Sequence, residues 1–385
     1  MGGREPSVDT KAIHAGEPRP RIGGAVAMPV FQSSTYDYQG ETDYHEIRYA
    51  RLSNSPNHLA LHAKLAALEH GEAALVTASG MAAISGALLA VLRSGDHLLA
   101  QDCLYGGTHG LITKDLPGLG IEHTLIDRQD RGAWERALRP GTKAIYVETL
   151  TNPLLQIPDL EGIVRFAREA GLVSIIDNTF ASPVNFRPLE IGFDLSLHSA
   201  TKYLNGHNDV IAGAAIGSAA LIERIKHLHD HLGGALDPHA CFLLHRGLKT
   251  LGVRVRRQGE SASRIAGFLE SQPAVRRVNY PGLASHAEHE LAGRLFDGYG
   301  GMLSFELQGD VDRAERFLAR LQIPIVAPSL GGVDSLIIRP AAAVHAGLSP
   351  DERAASGISD ALIRLSVGLE DPDDLIHDIE QSLMD

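Results

Sequence analysis

Lys202 is the residue whose type and position first indicate chemistry. It lies in the stretch Asp194-Leu-Ser-Leu-His-Ser-Ala-Thr-Lys202-Tyr-Leu-Asn-Gly-His207, shortly after Ser199 and directly after Thr201. The leucines at the start of this stretch indicate a short buried strand that ends near the lysine. Burial there would lower the pKa of the Lys202 amine and favour its neutral, nucleophilic form. A neutral amine condenses with aldehydes, so this position suits covalent chemistry.

Pyridoxal phosphate (PLP) is a natural aldehyde for such a lysine, as a Schiff base, with the Ser199 and Thr201 hydroxyls free to hold its phosphate. For a lone lysine, a surface position at a strand end is the more frequent explanation. A second stretch, Val173-Ser-Ile-Ile-Asp177, favours the chemical interpretation. This apolar run places the Asp177 carboxylate at the carboxyl edge of a parallel sheet, where open α/β sheets bind ligands. PLP enzymes need such a carboxylate to protonate the pyridine nitrogen, although a strand-end aspartate is often only a cap or turn residue.

The segment 199–207 resembles the lysine signature of the cystathionine γ-synthase, γ-lyase and β-lyase family of PLP enzymes. The likeness extends from Tyr49-Ala-Arg51 to Leu362-Ile-Arg-Leu-Ser-Val-Gly-Leu-Glu370, so it covers nearly the whole chain. The resemblance implies PLP as the cofactor and the fold type I architecture of PLP-dependent transferases. It also implies a homotetramer built as a dimer of dimers.

Composition restricts the class of protein. The chain has 385 residues, of which 44% are hydrophobic and 21% charged, as expected for a soluble globular protein of one large and one smaller domain. A net charge of −12 argues against a nucleic-acid partner. No apolar run approaches the roughly 20 residues of a membrane span. Two cysteines, Cys103 and Cys241, suit a reducing compartment, so we expect a cytoplasmic enzyme.

The order of the elements indicates how these residues are positioned. Residues 61–240 alternate predicted strands and helices, which is typical of an α/β protein with a mostly parallel, doubly wound sheet that binds PLP. Residues 1–60 are rich in Gly, Pro, Ser and Asn and are interpreted as an extended arm. Residues 241–385 are predicted to form a long linker helix over about 240–269 and a C-terminal α+β domain. The linker-helix arginines, predicted to form a solvated or intersubunit face, are Arg254, Arg256 and Arg257.

A predicted strand runs through Ser79-Gly80-Met81 into an alanine-rich helix. A glycine at a helix start lets backbone N–H groups approach an anion, so Gly80 and Met81 are candidates for phosphate binding. A Ser-Gly pair before a helix is more often only an N-terminal cap of that helix.

The resemblance implies further roles. Tyr105 would stack on the pyridine ring and help to exchange protons, and Asn152 would reach both cofactor and substrate, although an Asn-Pro pair is ordinarily a turn marker. Arg364 lies on an alternating strand, where an inward arginine is costly without an anionic partner. The resemblance makes Arg364 the clamp for the substrate α-carboxylate, helped by Ser335. Tyr49 would contribute to the substrate site as well.

The resemblance also implies that the arm crosses a dimer interface. Tyr49 and Arg51 would enter the neighbouring subunit's active site and contact the cofactor phosphate, for which the planar fork of arginine is well suited. The alternative is a solvated loop with a chance Tyr-x-Arg tripeptide.

The leading hypothesis is γ-elimination or γ-replacement on a homoserine- or homocysteine-type amino acid, with Lys202 as general acid–base. Cystathionine β-elimination uses the same residues and stays open, and a non-catalytic binding protein is a further alternative. Relatives often carry an arginine where Gly110 stands and a glutamate where Asp334 stands. A pocket that lacks this cation but keeps an acid favours a basic or neutral leaving group, so a basic substrate such as canavanine is another alternative. Gly107, where methionine γ-lyases commonly have cysteine, weighs against methionine.

The histidines at 227–231 and 286–289 are interpreted as helix-surface residues, and no metal site is predicted.

Overall fold

The computed structural model describes residues 5–343, 353 and 357–384. Within these ranges the chain forms two β-sheets with helices packed on them, which confirms the predicted α/β class with a smaller second sheet. The larger sheet has seven strands in the order β1-β7-β6-β5-β4-β2-β3. Its strands are β1 (Ala73–Thr77), β2 (His97–Gln101), β3 (Glu122–Ile126), β4 (Thr142–Glu148), β5 (Val173–Asp177), β6 (Leu195–His198) and β7 (Gly213–Gly217).

The larger sheet is mostly parallel, as predicted. Strand β7 runs antiparallel to its neighbours β1 and β6, whereas β3, β2, β4, β5 and β6 pair in parallel. Strands β2, β6 and β7 are buried along their whole length because helices cover both faces. The carboxyl ends of β4, β5 and β6 therefore meet at one edge of the sheet, which is the edge predicted to bind ligands.

The helices that accompany this sheet begin with the N-terminal segment and continue to residue 232. They are α1 (Val8–His14), α2 (Pro56–Glu69), α3 (Gly80–Val91), α4 (Gly106–Gly110), α5 (Leu116–Gly118), α6 (Arg131–Ala137), α7 (Leu160–Ala170), α8 (Ser182–Asn185), α9 (Pro188–Ile191) and α10 (Ala219–Leu232). A π-helical turn (Leu111–Asp115) joins α4 to α5, and short 3-10 turns occupy Ile22–Gly24 and Ala50–Leu52.

The N-terminal arm differs from the prediction of a wholly extended segment. Helix α1 packs against α2, and Ala12 within it is only 2% exposed. The buried amine of Lys64 donates a hydrogen bond of 2.7 Å to the Ala12 carbonyl, which fastens α1 to α2. Between α1 and α2 the chain is otherwise largely irregular. Only the middle of the arm is therefore extended or irregular as predicted. The start of the arm is helical because α1 buries an apolar face against α2.

The smaller sheet has five strands in the order β10-β11-β12-β9-β8. They are β8 (Val275–Asn279), β9 (Met302–Leu307), β10 (Ile325–Val326), β11 (Leu336–Ile338) and β12 (Leu362–Ser366). The remaining helices are α11 (Pro238–Leu248), α12 (Leu251–Glu270), α13 (His289–Leu295), α14 (Val311–Arg320) and α15 (Pro372–Leu383), with a 3-10 turn at Pro340–Ala342. The single long helix predicted over 240–269 is thus two helices, interrupted at Lys249 and Thr250.

The predicted solvated or intersubunit arginine face is wrong for one of its three members. Arg254 is only 3% exposed, and its guanidinium donates hydrogen bonds of 2.9 Å to the carbonyls of Tyr203 and Gly247. The Tyr203 carbonyl lies in the turn after Lys202 and the Gly247 carbonyl in the last turn of α11, and together they hold the arginine inward. Arg256 is exposed and pairs with Asp9.

The helix-surface interpretation of the histidine-rich stretches is also only partly right. His227 is exposed on α10, but His229 on the same helix is 5% exposed and its Nε2 lies 3.0 Å from the Ala82 carbonyl. The His286 side chain is likewise 5% exposed, and burial lowers its pKa to about 4. Among the described helices, none combines the length and apolar composition that crossing a membrane requires.

Candidate active site

A cavity of about 340 Å³ opens at the carboxyl edge of the larger sheet and reaches the smaller sheet. Most of the residues selected from the sequence line it, although they come from widely separated parts of the chain. These are Gly80, Met81, Tyr105, Asn152, Asp177, Ser199, Thr201, Lys202 and Arg364. The structure therefore brings the predicted lysine, carboxylate, aromatic and arginine into one pocket.

Lys202 follows β6 in a turn at the wall of the cavity. The turn is closed by backbone hydrogen bonds from Lys202 N to the Ser199 carbonyl at 3.1 Å and from Gly206 N to the Lys202 carbonyl at 2.7 Å. Burial, with a contribution from the positive charge of Arg364, lowers the pKa of the Lys202 amine to about 8. Its Nζ donates a hydrogen bond of 2.8 Å to Ser329 Oγ. Lys202 is therefore an oriented amine with a substantial neutral fraction.

Asp177 ends β5, and its Oδ1 accepts a hydrogen bond of 2.9 Å from Thr179 N. Burial raises the pKa of Asp177, while the hydrogen bonds from Thr179 and the charge of His198 oppose that rise. His198 ends β6, and its Nε2 lies 2.5 Å from Glu69 Oε1. The buried Glu69 and His198 pair thus lies behind Asp177, where it favours the ionised carboxylate.

The N-terminus of α3 meets the Lys202 turn at a narrow point of the cavity. Ser79 caps α3 by accepting a hydrogen bond of 3.1 Å from Ala82 N. A Cβ atom at Gly80 would lie 2.8 Å from the Ser199 Cβ, so only glycine allows this approach. Among the described residues, the Gly80 and Met81 N–H groups at the helix start and the Ser199 hydroxyl form a cradle suited to a phosphate. The Thr201 hydroxyl lies beside them but donates a hydrogen bond of 3.2 Å to the Ala212 carbonyl and accepts one of 3.0 Å from Ala212 N.

Tyr105 precedes α4, and its side chain remains 43% exposed at the cavity mouth. Its backbone N–H donates a hydrogen bond of 2.7 Å to Glu148 Oε1. A Cβ atom at Gly107 would lie 2.6 Å from the Tyr105 Cε1 and 3.0 Å from the Met81 Sδ. The glycine therefore leaves room for the aromatic ring in its observed position.

Arg364 projects from β12 into the cavity and is 3% exposed. It donates hydrogen bonds to Asn152 Oδ1 at 3.1 Å and to the Ser329 carbonyl at 3.0 Å. Among the described residues its Nε has no hydrogen-bond partner, and burial lowers the pKa of the guanidinium to about 10. Within the part of the chain that the structure describes, no carboxylate forms an ion pair with it. A buried cation with spare donors is suited to an anionic ligand.

The structure does not bring Ser335, Asp334 or Gly110 to this cavity. Ser335 is fully buried, and its Oγ donates a 2.8 Å hydrogen bond to Glu370. Asp334 is exposed and accepts a 3.0 Å hydrogen bond from Asn208. A Cβ atom at Gly110 would meet no atom within 4 Å. Ser335 and Asp334 therefore do not line this cavity of their own chain, and their substrate-binding roles, like the canavanine alternative, stay predictions.

Tyr49 and Arg51 lie outside the cavity of their own chain. Arg51 donates a hydrogen bond to the Asp230 carbonyl on α10 and one of 2.6 Å to the Tyr44 hydroxyl. The Arg51 guanidinium carbon also lies 5.5 Å from the centre of the Tyr49 ring. Their predicted contact with a neighbouring subunit stays a prediction.

The structure adds cavity residues that the sequence analysis did not select, of which Glu148, Thr179 and Ser329 contact predicted site residues. Glu148 could have been found from its position at a strand end, which is the signal that identified Asp177. Thr179 lies two residues after Asp177 in the sequence, so the same strand-end signal would have included it. Ser329 lies in a loop between two strands of the smaller sheet and offers no comparable local signal.

Comparisons with known proteins agree with this geometry. The family model described as Cys/Met metabolism PLP-dependent enzyme matches residues 9–384. The chain is 45% identical to the cystathionine gamma-lyase of Bacillus subtilis (strain 168), covering 97% of this chain and 98% of that protein. It is 42% identical to the L-methionine gamma-lyase of Pseudomonas putida, with 98% and 97% coverage. The crystal structure of cystathionine gamma-lyase from Lactobacillus plantarum complexed with L-serine superposes with a TM-score of 0.92 at 40% identity, covering 98% of both chains.

Proposed function

The chain belongs to the Cys/Met metabolism family of PLP-dependent enzymes, and on this basis we propose that it eliminates or replaces the γ-substituent of a homoserine- or homocysteine-type amino acid. The observation that carries this proposal is the pairing of Arg364 with Lys202 in one buried cavity. Arg364 offers an unneutralised cation for an α-carboxylate, and Lys202 offers an amine with a lowered pKa. The Bacillus relative at 45% identity is a cystathionine gamma-lyase, which supports γ-chemistry.

The residues of the cavity fit PLP in shape and in charge. Lys202 would hold the aldehyde, and the cradle of Gly80, Met81 and Ser199 would hold the phosphate. Thr201 would join them by turning its hydroxyl hydrogen from the Ala212 carbonyl to a phosphate oxygen. Asp177 would face the pyridine nitrogen. When bound, PLP supplies an electron sink for the carbanion formed at the substrate Cα.

Arg364 would bind the substrate α-carboxylate, and Asn152 would steer that arginine through its 3.1 Å hydrogen bond. The free Lys202 amine would then move protons at the substrate Cα and Cβ. With a pKa of about 8, about a tenth of the Lys202 amines are neutral at pH 7. An amine with an ordinary pKa of about 10.5 would be neutral in only about one molecule in three thousand. The lowered pKa thus makes Lys202 an effective base near neutral pH.

Cystathionine β-elimination remains the second candidate because it would use the same cavity residues. Cystathionine separates the two reactions, since γ-elimination yields 2-oxobutanoate and β-elimination yields pyruvate. We expect purified enzyme with PLP to release 2-oxobutanoate and ammonia from cystathionine, with Lys202→Ala as the inactive control. Pyruvate as the main product would favour the β-lyase, and equal turnover by wild type and Lys202→Ala on a panel of amino acids would favour a non-catalytic protein.

We further propose a homotetramer, a dimer of dimers, in which the arm completes the active site of a neighbouring subunit. The arm exposes large apolar side chains that a partner surface would cover: Val26, Tyr38, Tyr44, Ile47 and Tyr49. In that assembly, Tyr49 and Arg51 would reach the partner's phosphate cradle. A cytoplasmic location stays a prediction, consistent with both cysteines being free thiols.

A further inference from the structure

Glu148 is a buried cavity residue that the proposed chemistry leaves without a role. It ends β4 directly opposite Asp177, its register partner on β5. Glu148 is 6% exposed, and both carboxylates line the cavity. Two neighbouring carboxylates, one buried and one half-buried, cannot both ionise without a large electrostatic cost, so one of them must carry a proton or find a cation.

The surroundings of the two carboxylates decide which one carries the proton. Asp177 accepts a hydrogen bond from Thr179 N and lies near His198, and both stabilise its charge. Glu148 has no ion pair with a cationic side chain in the described residues. Burial, reinforced by the charge of Asp177, raises the pKa of Glu148 well above its usual range. The hydrogen bond from the Tyr105 backbone N–H lowers this pKa, but by less than burial and the charge of Asp177 raise it.

The other titratable groups facing Glu148 do not offer it a positive charge. Tyr146 precedes it on β4 and Cys103 follows β2, and both are uncharged when protonated. Burial, with the charge of Glu148 contributing, raises the pKa of Cys103 to about 12. Burial likewise raises the pKa of Tyr146, with Asp177 and Glu148 contributing. An ionised Glu148 would thus lie among groups that cannot neutralise it.

Among the described residues, the one hydrogen bond that the Glu148 side chain accepts comes from Tyr105. The Oε1 atom lies 2.7 Å from Tyr105 N, whereas the Tyr105 side chain itself is 43% exposed and has little packing to hold it. We propose that Glu148 is a positioning residue that stays uncharged and fixes Tyr105 at the cavity mouth through this hydrogen bond. The inference deepens the proposed function and rests on the stacking of Tyr105 against the cofactor.

Substitutions at Glu148 separate a neutral positioning role from an ionised, proton-accepting one. Glu148→Gln keeps the length and the Oε1 acceptor but is never charged. Glu148→Ala removes the acceptor, and Glu148→Asp shortens the stem while remaining ionisable. The measured quantity is the dissociation constant of PLP, obtained by titrating the dialysed full-length protein and following cofactor absorbance.

We expect Glu148→Gln to keep the PLP dissociation constant within about threefold of wild type, and Glu148→Ala to raise it about tenfold, as for loss of one buried hydrogen bond. Glu148→Asp replaces Glu148→Ala if the latter does not fold, with the same expected weakening. In a Tyr105→Ala background, truncating Glu148 should change the constant less than about twofold, because the group it positions is gone.

The inference is overturned if Glu148→Gln binds PLP as weakly as Glu148→Ala. It is also overturned if the effects of Tyr105→Ala and Glu148 truncation on binding free energy simply add. Failure of the proposed function has a different signature, since the wild-type protein would then release no 2-oxobutanoate from cystathionine, whatever the PLP dissociation constants of the Glu148 variants.

Discussion

The amine of Lys202 is held by the hydroxyl of Ser329, with 2.8 Å between Nζ and Oγ. The two residues are 127 positions apart, Lys202 in a turn next to the larger sheet and Ser329 in a loop of the smaller one. The carbonyl of Ser329 in turn accepts a hydrogen bond from Arg364, so one residue of the smaller sheet's loop contacts both the proposed base and the proposed carboxylate clamp. This loop couples the orientation of Lys202 to that of Arg364.

Ser329→Ala should lower kcat about tenfold, because the freed Lys202 amine loses the hydrogen bond that orients it. The matched control is Ser335→Ala, which the sequence placed in the substrate site but the structure places against Glu370. We expect Ser335→Ala to lower the free energy of unfolding by about 1–3 kcal/mol with a much smaller effect on kcat. Steady-state kinetics and denaturant unfolding test both variants, and the reverse pattern would restore Ser335 to the site.

Gly80→Ala should weaken PLP binding at least tenfold, because the new methyl group would lie 2.8 Å from the Ser199 Cβ and push α3 away from the Lys202 turn. Gly267→Ala is the control, since a Cβ atom there, within α12, would meet nothing within 4 Å. A helical glycine replaced by alanine is expected to be neutral or slightly stabilising. Titration of both dialysed variants with PLP measures the effect, and unchanged affinity in Gly80→Ala would contradict the cradle.

The rate at which PLP attaches to the cofactor-free protein should rise with pH and level off above about pH 8. Only the neutral amine reacts, and the folded protein lowers the Lys202 pKa from 10.5 to about 8, so the neutral fraction falls about tenfold per pH unit below that value. Arg364→Leu should move the midpoint to higher pH because it removes a positive charge. Stopped-flow absorbance measures the rate, and a wild-type midpoint above pH 10 would show that Lys202 is not perturbed.

Mixing inactive Arg51→Ala and Lys202→Ala subunits should restore part of the activity if the arm completes a neighbouring site. Hybrid dimers would contain one site in which both the arm and the lysine are intact. The activity of the mixture after subunit exchange is compared with that of each variant alone. Exchange is verified with differently tagged subunits, and proven exchange without recovery would count against the shared site.

The sequence by itself determined the fold class and the strand-end residues of the site. Alternating strands and helices require a mostly parallel sheet, and Asp177 and Lys202 follow strands whose carboxyl ends must meet at one edge. These features depend on periodicity and on neighbouring residues, which is why they can be read without contacts between distant segments. The resemblance to a known family added Tyr105, Asn152 and Arg364, which also line the cavity.

Only the tertiary structure decided which of two nearby serines faces Lys202 and which arginine of α12 is buried. Ser329 and Ser335 have the same chemistry, but the half-buried Glu370 accepts the hydroxyl hydrogen bond of Ser335, which leaves Ser329 at the cavity. Arg254 is drawn inward by carbonyls of the Lys202 turn, although its sequence neighbours include exposed arginines. Such choices depend on buried polar groups from distant segments finding partners, and local sequence preferences do not encode those pairings.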